Sequence, residues 1–261
     1  MKNILEQINE NRLQQVAQLK RQQPITAFKD IAAFYKPALS ITKNLLAKKF
    51  AVISEFKKAS PSKGVINDAA NVVEVTTGYQ NVGAAAISIL TETSFFKGSD
   101  SDLLLARPHL SIPILRKDFI VDDYQIPETK ALGADVILLI AASLSVQQVQ
   151  EYAAYAKEIG LEVLLEIHNE NELNHICNQV DVVGVNNRSL KTFEVDINTS
   201  LRLLPLIPSN KIPISESGLS ATQSIQKLQA AGFKGFLMGE AFMKHPQPQQ
   251  QLNHLLTELN A

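Results

Sequence analysis

Glu55 and Lys57 are the first residues in the chain whose types and spacing could do chemistry. They sit two apart at the end of a run that opens with the apolar residues Phe50-Ala-Val-Ile53. In a strand, residues i and i+2 face the same side, so a carboxylate and an ammonium would stand together on a line meant for buried apolar groups. Their desolvation is costly unless they are paired or used. A structural ion pair and a working acid–base pair are the two readings of this stretch taken alone. Four other apolar runs end in the same way. One ends in Lys117, with Leu115 and Phe119 on its line, and one carries Glu166 two residues after Leu164. One ends in Asn186 and continues to Arg188, and one ends in Glu216 and Ser217 just before Gly218. A single charged residue at a strand end is ordinarily solvated. Two lysines, several carboxylates, an arginine and an amide converging on one place would instead shift one another's pKa values and suit proton transfer near neutral pH.

An anion seat accompanies these groups. Gly218 and Gly239 each follow an apolar run and precede a helical stretch, where backbone N–H groups at a helix start can hold a phosphate. Read singly, each is equally a tight-turn glycine. Ser60 and Lys63, in the turn after Lys57, add a hydroxyl and a charge. Phe95, Phe96 and Phe119 fall in or beside the connecting loops; they are core by default, with stacking on an aromatic substrate as the functional alternative. His109, His168, His175, His245 and His254 show no metal-ligand spacing and read as structural or surface residues, so no metal is expected.

The elements that must position these residues follow a repeating rhythm. Beginning at residue 50, short Val/Ile/Leu-rich runs alternate with stretches of helical period. The expected strands after the first cover residues 84–91, 113–119, 135–141, 161–168, 182–187, 212–217 and 235–239. Expected helices cover 71–82, 102–107, 123–132, 145–159, 170–177 and 220–231, with a last helix starting near Glu240, interrupted by Pro246 and Pro248, and a terminal segment at 249–259. Gly83, Gly133, Gly160 and Gly232 close four of them. Strands that are continuously apolar suit a parallel sheet covered on both faces. Eight consecutive βα units predict an α/β fold, a single (β/α)8 TIM barrel over 49–261. Residues 1–48 form an N-terminal helical extension, with one amphipathic helix over 1–20, a second short one near 28–34 and an irregular link between them. A doubly wound open sheet competes, but no Gly-rich dinucleotide fingerprint follows the first strand.

The bulk numbers agree with one barrel domain. The chain has 261 residues, 45% of them hydrophobic, and a formal net charge of −1 with 20% charged residues. Nothing here points to nucleic-acid or membrane-surface binding. The single cysteine, Cys177, rules out an internal disulfide framework and fits a reducing cytoplasm. No run is long enough to span a bilayer, and the polar N-terminus lacks a signal-peptide core, so a cytoplasmic location is expected.

With the motifs placed, the chain resembles the indole-3-glycerol-phosphate synthase family over nearly its whole length. The motif Glu55-Phe-Lys-Lys-Ala-Ser-Pro-Ser-Lys-Gly64 alone is highly specific. It is followed in order by Ser88-Ile-Leu-Thr-Glu92 with Phe96, and by Leu115-Arg-Lys-Asp-Phe-Ile120. Leu165-Glu-Ile-His168, Gly184-Val-Asn-Asn-Arg188, Ser215-Glu-Ser-Gly218 and Gly235-Phe-Leu-Met-Gly-Glu240 complete the series. The resemblance implies a monofunctional carboxy-lyase of tryptophan biosynthesis. It would close 1-(2-carboxyphenylamino)-1-deoxyribulose 5-phosphate to indole-3-glycerol phosphate, CO2 and water, with no cofactor, no metal and no obligate protein partner. By the family's pattern Lys117 is the general acid at the ribulose carbonyl. Glu166 is its acid–base partner or stabilises positive charge on the condensing ring. Lys57 binds the substrate carboxylate or protonates the departing hydroxyl, and Glu55 and Asn186 fix the sugar hydroxyls and the lysines. Arg188 holds the anthranilate carboxylate and Ser217 hydrogen-bonds within the site. Ser60, Gly218 and Gly239 frame the phosphate, and Phe96, Phe119, Glu216 and Glu240 complete the substrate-binding set.

Three positions depart from the pattern. Ala59 stands where some members carry a basic residue. Ser189 replaces the acidic residue that often follows the Asn-Asn-Arg run. Glu240 takes the place of a serine, keeping the backbone N–H and losing a hydroxyl. Phosphoribosylanthranilate isomerase, a sister barrel, would want a Cys/Asp pair at strand ends, whereas Cys177 falls on the expected fifth helix. A barrel kept only for binding or scaffolding predicts a decayed mouth, which these residues contradict.

Overall fold

Val/Ile/Leu-rich runs buried on both faces can satisfy their backbone only by pairing side by side under a cover of helices, and eight of them close into a ring. The computed structural model describes residues 2–190 and 192–261. The barrel strands are β1 (Val52–Phe56), β2 (Ala86–Leu90), β3 (Ile114–Lys117), β4 (Val136–Ile140), β5 (Glu162–Ile167), β6 (Val182–Asn186), β7 (Ile212–Glu216) and β8 (Gly235–Met238). All neighbouring pairs are parallel, and β1 joins β8 through Val52 opposite Phe236, so the sheet has no free edge. The strands after β1 are a residue or two shorter at one or both ends than the runs that announce them, because the flanking residues turn into the loops, whereas β1 runs on past its apolar run through Glu55 to Phe56.

Alternate residues of each strand serve two cores. Ile53, Leu115, Leu138, Leu164, Val182, Ile214 and Leu237 point inward and fill the barrel, while Val52, Ile87, Ile137, Val163, Val183 and Phe236 point outward against the helices. Continuing the inward line by one step at the C-terminal ends reaches Glu55, Lys117, Glu166 and Glu216, and in β6 two steps from Val182, past Gly184, reach Asn186. The polar residues therefore occupy the top layer of an otherwise apolar interior.

The outer helices are α3 (Val72–Asn81), α4 (Asp100–Ala106), α5 (Gln125–Ala131), α6 (Val146–Glu158), α7 (Asn198–Leu203), α8 (Thr222–Ala231), α9 (Glu240–Met243) and α10 (Pro248–Asn260). Ser145 caps α6; its hydroxyl accepts the Gln148 N–H while the Gln148 side chain returns to the Ser145 N–H, satisfying two otherwise orphan donors. Pro248 begins α10 rather than interrupting it, since a proline costs a helix nothing in its first turn. Two expected helices are only 3₁₀ turns. Residues 28–34 form Ile25–Asp30 and Ala32–Tyr35, and 170–177 shortens to Glu170–His175, which leaves Cys177 beyond it.

The N-terminal extension reaches both ends of the barrel. α1 (Ile4–Gln22), begun by an Asn3/Glu6 capping box, buries Leu5, Ile8, Arg12 and Val16. Its Arg12 pairs with buried Asp118, just past β3, at 2.6 Å. α2 (Ile41–Leu46), which the sequence pattern does not announce, plugs the opposite end with Ile41 and Leu45. The Glu162 carboxylate at the start of β5 accepts the Ile41 and Thr42 N–H groups and the Ser40 and Thr42 hydroxyls. Among the described residues, no helix is long and apolar enough to cross a membrane.

Candidate active site

Strand register brings the charged ends to one level. Leu90 pairs with Lys117, Ile140 with Glu166, Glu166 with Gly184, and Asn186 with Glu216. From β3, the Lys117 ammonium donates to Glu166 Oε2 on β5 at 2.6 Å and to Glu216 Oε2 on β7 at 3.1 Å. Asn186 Nδ2 donates to the other Glu166 oxygen at 3.0 Å, so the amide steadies a carboxylate rather than a lysine. Glu55 and Lys57 pair at 2.8 Å, and the Ser88 hydroxyl lies 3.4 Å from Glu55 Oε2.

Two glycines make room for these carboxylates. A Cβ on Gly184 would lie 2.1 Å from Glu216 Oε1, and one on Gly239 would lie 2.7 Å from Glu55 Oε1. Any side chain there would expel the acid from the mouth. Ser217 and Gly218 both adopt positive φ, 65° and 70°, turning the chain sharply after β7.

Burial and charge set opposite demands on this cluster. Burial works against the Lys117 charge, but Glu166, Glu216 and Glu55 outweigh it and hold the ammonium protonated. Burial alone would raise Glu166; Lys117 and His168 more than reverse that and keep it well below the usual carboxylate range. Glu216 goes the other way. Burial pushes it up to about 7, with Lys117 opposing and Glu166 repulsion adding to the rise, and its Oε1 is buried without a hydrogen-bond partner among the described residues.

This shift carries a stability prediction. The folded protein binds the Glu216 proton more tightly than the unfolded chain does. Its contribution is therefore fully present below the ordinary carboxylate pKa and is lost as pH rises through about 7. Glu216→Gln keeps the shape and cannot ionise, so its urea-unfolding free energy should fall less between pH 5 and pH 8 than that of the native sequence. Parallel pH dependences would show that another group titrates.

All fourteen expected site residues line one cavity at this end of the barrel: Glu55, Lys57, Ser60, Phe96, Lys117, Phe119, Glu166, Asn186, Arg188, Glu216, Ser217, Gly218, Gly239 and Glu240. Phe96 and Phe119 form an aromatic wall, with ring centroids 5.9 Å apart. Ser60 Oγ is buried and has no hydrogen-bond partner among the described residues, which leaves it available to a ligand. Glu240 is placed differently from a simple anion contact. Its carboxylate lies 3.5 Å from Arg188 and 3.8 Å from Lys63, tying together the loops after β1, β6 and β8.

Sequence reasoning missed part of the wall. Ile4, Leu5 and Ile8 of α1, Leu138 and Ile140 of β4, and Leu190 and Phe193 of the loop after β6 also line the cavity. The α1 residues carried only the signature of an amphipathic helix, with nothing to say what it covers. His168, set aside with the other histidines, is buried beside Glu166, and the spacing i, i+2 was the available signal.

A closed parallel barrel with part-buried lysine–carboxylate contacts at its C-terminal mouth, a glycine-lined turn and an aromatic wall defines a (β/α)8 barrel whose mouth could support proton transfer. The family profile described as "Indole-3-glycerol phosphate synthase" matches residues 5–255. The indole-3-glycerol phosphate synthase of Bacteroides thetaiotaomicron is 43% identical over 256 residues, covering 98% of each chain. That of Acinetobacter baylyi is 45% identical over 232 residues, covering 87% of each. The chain belongs to the indole-3-glycerol phosphate synthase family, carboxy-lyases of tryptophan biosynthesis. Among solved structures, 3-hexulose-6-phosphate synthase from Salmonella typhimurium aligns with a TM-score of 0.61 at 13% identity, covering 80% of this chain and 99% of that one. The tryptophan synthase α-subunit of Pyrococcus furiosus aligns with 0.59 at 17% identity, covering 81% and 98%. At such identities they share the fold alone.

Proposed function

We propose that the family's ring closure is carried out in this cavity with Lys117 as general acid and Glu166 as its acid–base partner. The observation that carries the assignment is the half-buried Lys117 ammonium held between the Glu166 and Glu216 carboxylates. The substrate, 1-(2-carboxyphenylamino)-1-deoxyribulose 5-phosphate, forms its new C–C bond when an aromatic carbon attacks the ribulose carbonyl. Negative charge then develops on that oxygen, and a proton donor fixed beside it lowers the barrier. CO2 leaves, the ring regains aromaticity, and loss of the hydroxyl as water needs a second proton delivery and a base. Glu166, kept ionised, suits the base, and Lys57, paired with Glu55, suits delivery to the hydroxyl or contact with the substrate carboxylate.

The remaining roles follow position. Phe96 and Phe119 stack on the aromatic ring, Arg188 meets the anthranilate carboxylate, and Asn186 and Glu55 orient sugar hydroxyls. Ser217 hydrogen-bonds within the site, and Glu216 completes the cluster around Lys117. Ser60, Gly218 and Gly239 hold the phosphate, with Glu240 at the rim keeping Arg188 and Lys63 in place. The extension and barrel act as one domain in this reading, because α1 forms part of the cavity and α2 part of the barrel's interior. Proton transfers suffice for the chemistry, so no cofactor or obligate protein partner enters. A cytoplasmic setting belongs to the same proposal, supported by the free thiol of Cys177.

Purified protein is expected to turn the carboxyphenylamino-deoxyribulose phosphate into an indole-fluorescent product without added metal. No product with excess enzyme would sink the assignment. In the same assay Glu166→Gln should lower kcat far more than it changes KM, because the lost interaction belongs to the transition state. An effect on KM alone would contradict the role given to Glu166.

A further inference from the structure

Glu166 has a second cation beside it that the steps above leave unused. His168 lies two residues on, past the end of β5 and on the same line. Its Nε2 is 3.2 Å from Glu166 Oε1, its Nδ1 is 3.2 Å from Glu172 Oε2, and its side chain is only 8% exposed. Glu172 also accepts the His168 backbone N–H at 2.7 Å and the Asn169 amide at 2.6 Å. The turn Glu170–His175 thus grips the ring on one side and presses its other edge toward the carboxylate. Lys117 donates to Oε2 of Glu166, Asn186 donates to Oε1, and His168 Nε2 lies near Oε1 without a hydrogen bond among the described residues, so Glu166 stands between two cationic side chains.

The ring borders a second cavity, next to the active site, which is also lined by Asn169, Glu172, Arg188, Glu194 and Asp196. The facing groups are Glu166 from β5, Glu172 from its own turn, and Arg188, Glu194 and Asp196 from the segment after β6. α1 and the Ala141–Ser143 turn contribute only Asn3, Leu5 and Ala142. Burial opposes a charge on the ring, yet Glu166 and Glu172 together raise it to about 9. At neutral pH it is an imidazolium.

This matters when Lys117 acts, on the acid–base reading proposed above. Once its proton has gone to the substrate, Lys117 no longer neutralises Glu166. A carboxylate this buried, left without a cation, takes up a proton itself and can no longer serve as a base. A cation that the reaction does not consume prevents that.

We propose that His168, gripped by Glu172, is a positioning residue that keeps Glu166 ionised and aimed during the interval in which Lys117 is neutral.

The test is the pH dependence of kcat from pH 5 to 10 for the native enzyme, His168→Gln, Glu172→Gln and Glu166→Gln. Removing an opposite charge at this range moves a carboxylate pKa by about 1–3 units. His168→Gln should therefore shift the acidic limb of kcat upward by at least one unit, which lowers kcat by about tenfold or more at any pH below the native limb, with KM little changed. Glu172→Gln takes one of two carboxylates from the ring and should move the basic limb downward. If both profiles superimpose on the native one after scaling by a constant, His168 is merely structural and the proposal falls. Should His168→Gln fail to fold, Glu172→Gln decides alone. Native kcat in Glu166→Gln would overturn the acid–base reading itself; lost kcat there, with native profile shapes in the other two, overturns only the role of His168.

Discussion

Lys117→Ala should reduce kcat by about 10²–10⁴, the range for a lost general acid, while KM changes little. Two losses combine in this one substitution. The proton donor at the developing alkoxide disappears, and Glu166 and Glu216, which share the ammonium at 2.6 and 3.1 Å, are left facing each other in a buried site. Like charges so placed cannot both stay ionised, so one carboxylate takes up a proton; with His168 still beside Glu166, that carboxylate is Glu216. Single-turnover measurement of the fluorescent product isolates the chemical steps. A rate within threefold of native would remove Lys117 from the role.

Arg116→Met should destabilise the fold by about 3–5 kcal/mol, the cost of leaving buried charges without their partner. Arg116 is the neighbour of Lys117 in β3 but points outward, and it is fully buried. Its guanidinium meets Glu128 at 2.8 Å, Asp100 at 3.0 Å and Asp118 at 3.2 Å, and also the hydroxyls of Thr91 and Thr129. A flat five-donor fork can serve several acceptors at once; methionine fills the space and serves none. Burial raises Glu128 even with Arg116 beside it, so the variant's folded state should bind extra protons. Its stability deficit in urea titrations should accordingly shrink as pH falls from 7 to 5. Asp118 also anchors Arg12 of α1, so α1 should loosen as well, visible as faster amide exchange. A loss under about 1 kcal/mol would mean that the three acids find other partners.

The barrel was legible because its strands leave a plain trace: apolar on both faces, regularly spaced and closed by polar ends. The proposed acid–base set was legible for the same reason, since Glu55, Lys117 and Glu166 interrupt lines that should be apolar. What escaped depends on contacts between distant segments. Glu216 could be placed at a strand end, but not on the same ammonium as Glu166, because that requires the register of β5 through β7. Short 3₁₀ turns such as Ile25–Asp30 have too few residues to show a helical period. The coverage of the cavity by Ile4, Leu5 and Ile8 rests on α1 docking against Asp118 and the barrel mouth. His168 is a different kind of miss: the i, i+2 rule applied to Glu55 and Lys57 applies equally to Glu166 and His168, with Glu172 four residues further on.

The ring closes where β1 meets β8, and the proposed phosphate seat lies across that seam. Ser60 follows β1, Gly239 follows β8, and the missing side chain of Gly239 is what leaves Glu55 its place. These residues come from opposite ends of the barrel's sequence, so a partly folded chain holds two halves of a seat and no seat. A phosphate ester that fills it binds the shut ring alone and acts as a clasp. At a hundred times its Kd, such a ligand adds about 2.7 kcal/mol to the shut state. Supply of substrate and lifetime of the enzyme thereby become linked. When the metabolite runs low, the seam loses this added stability and opens more often.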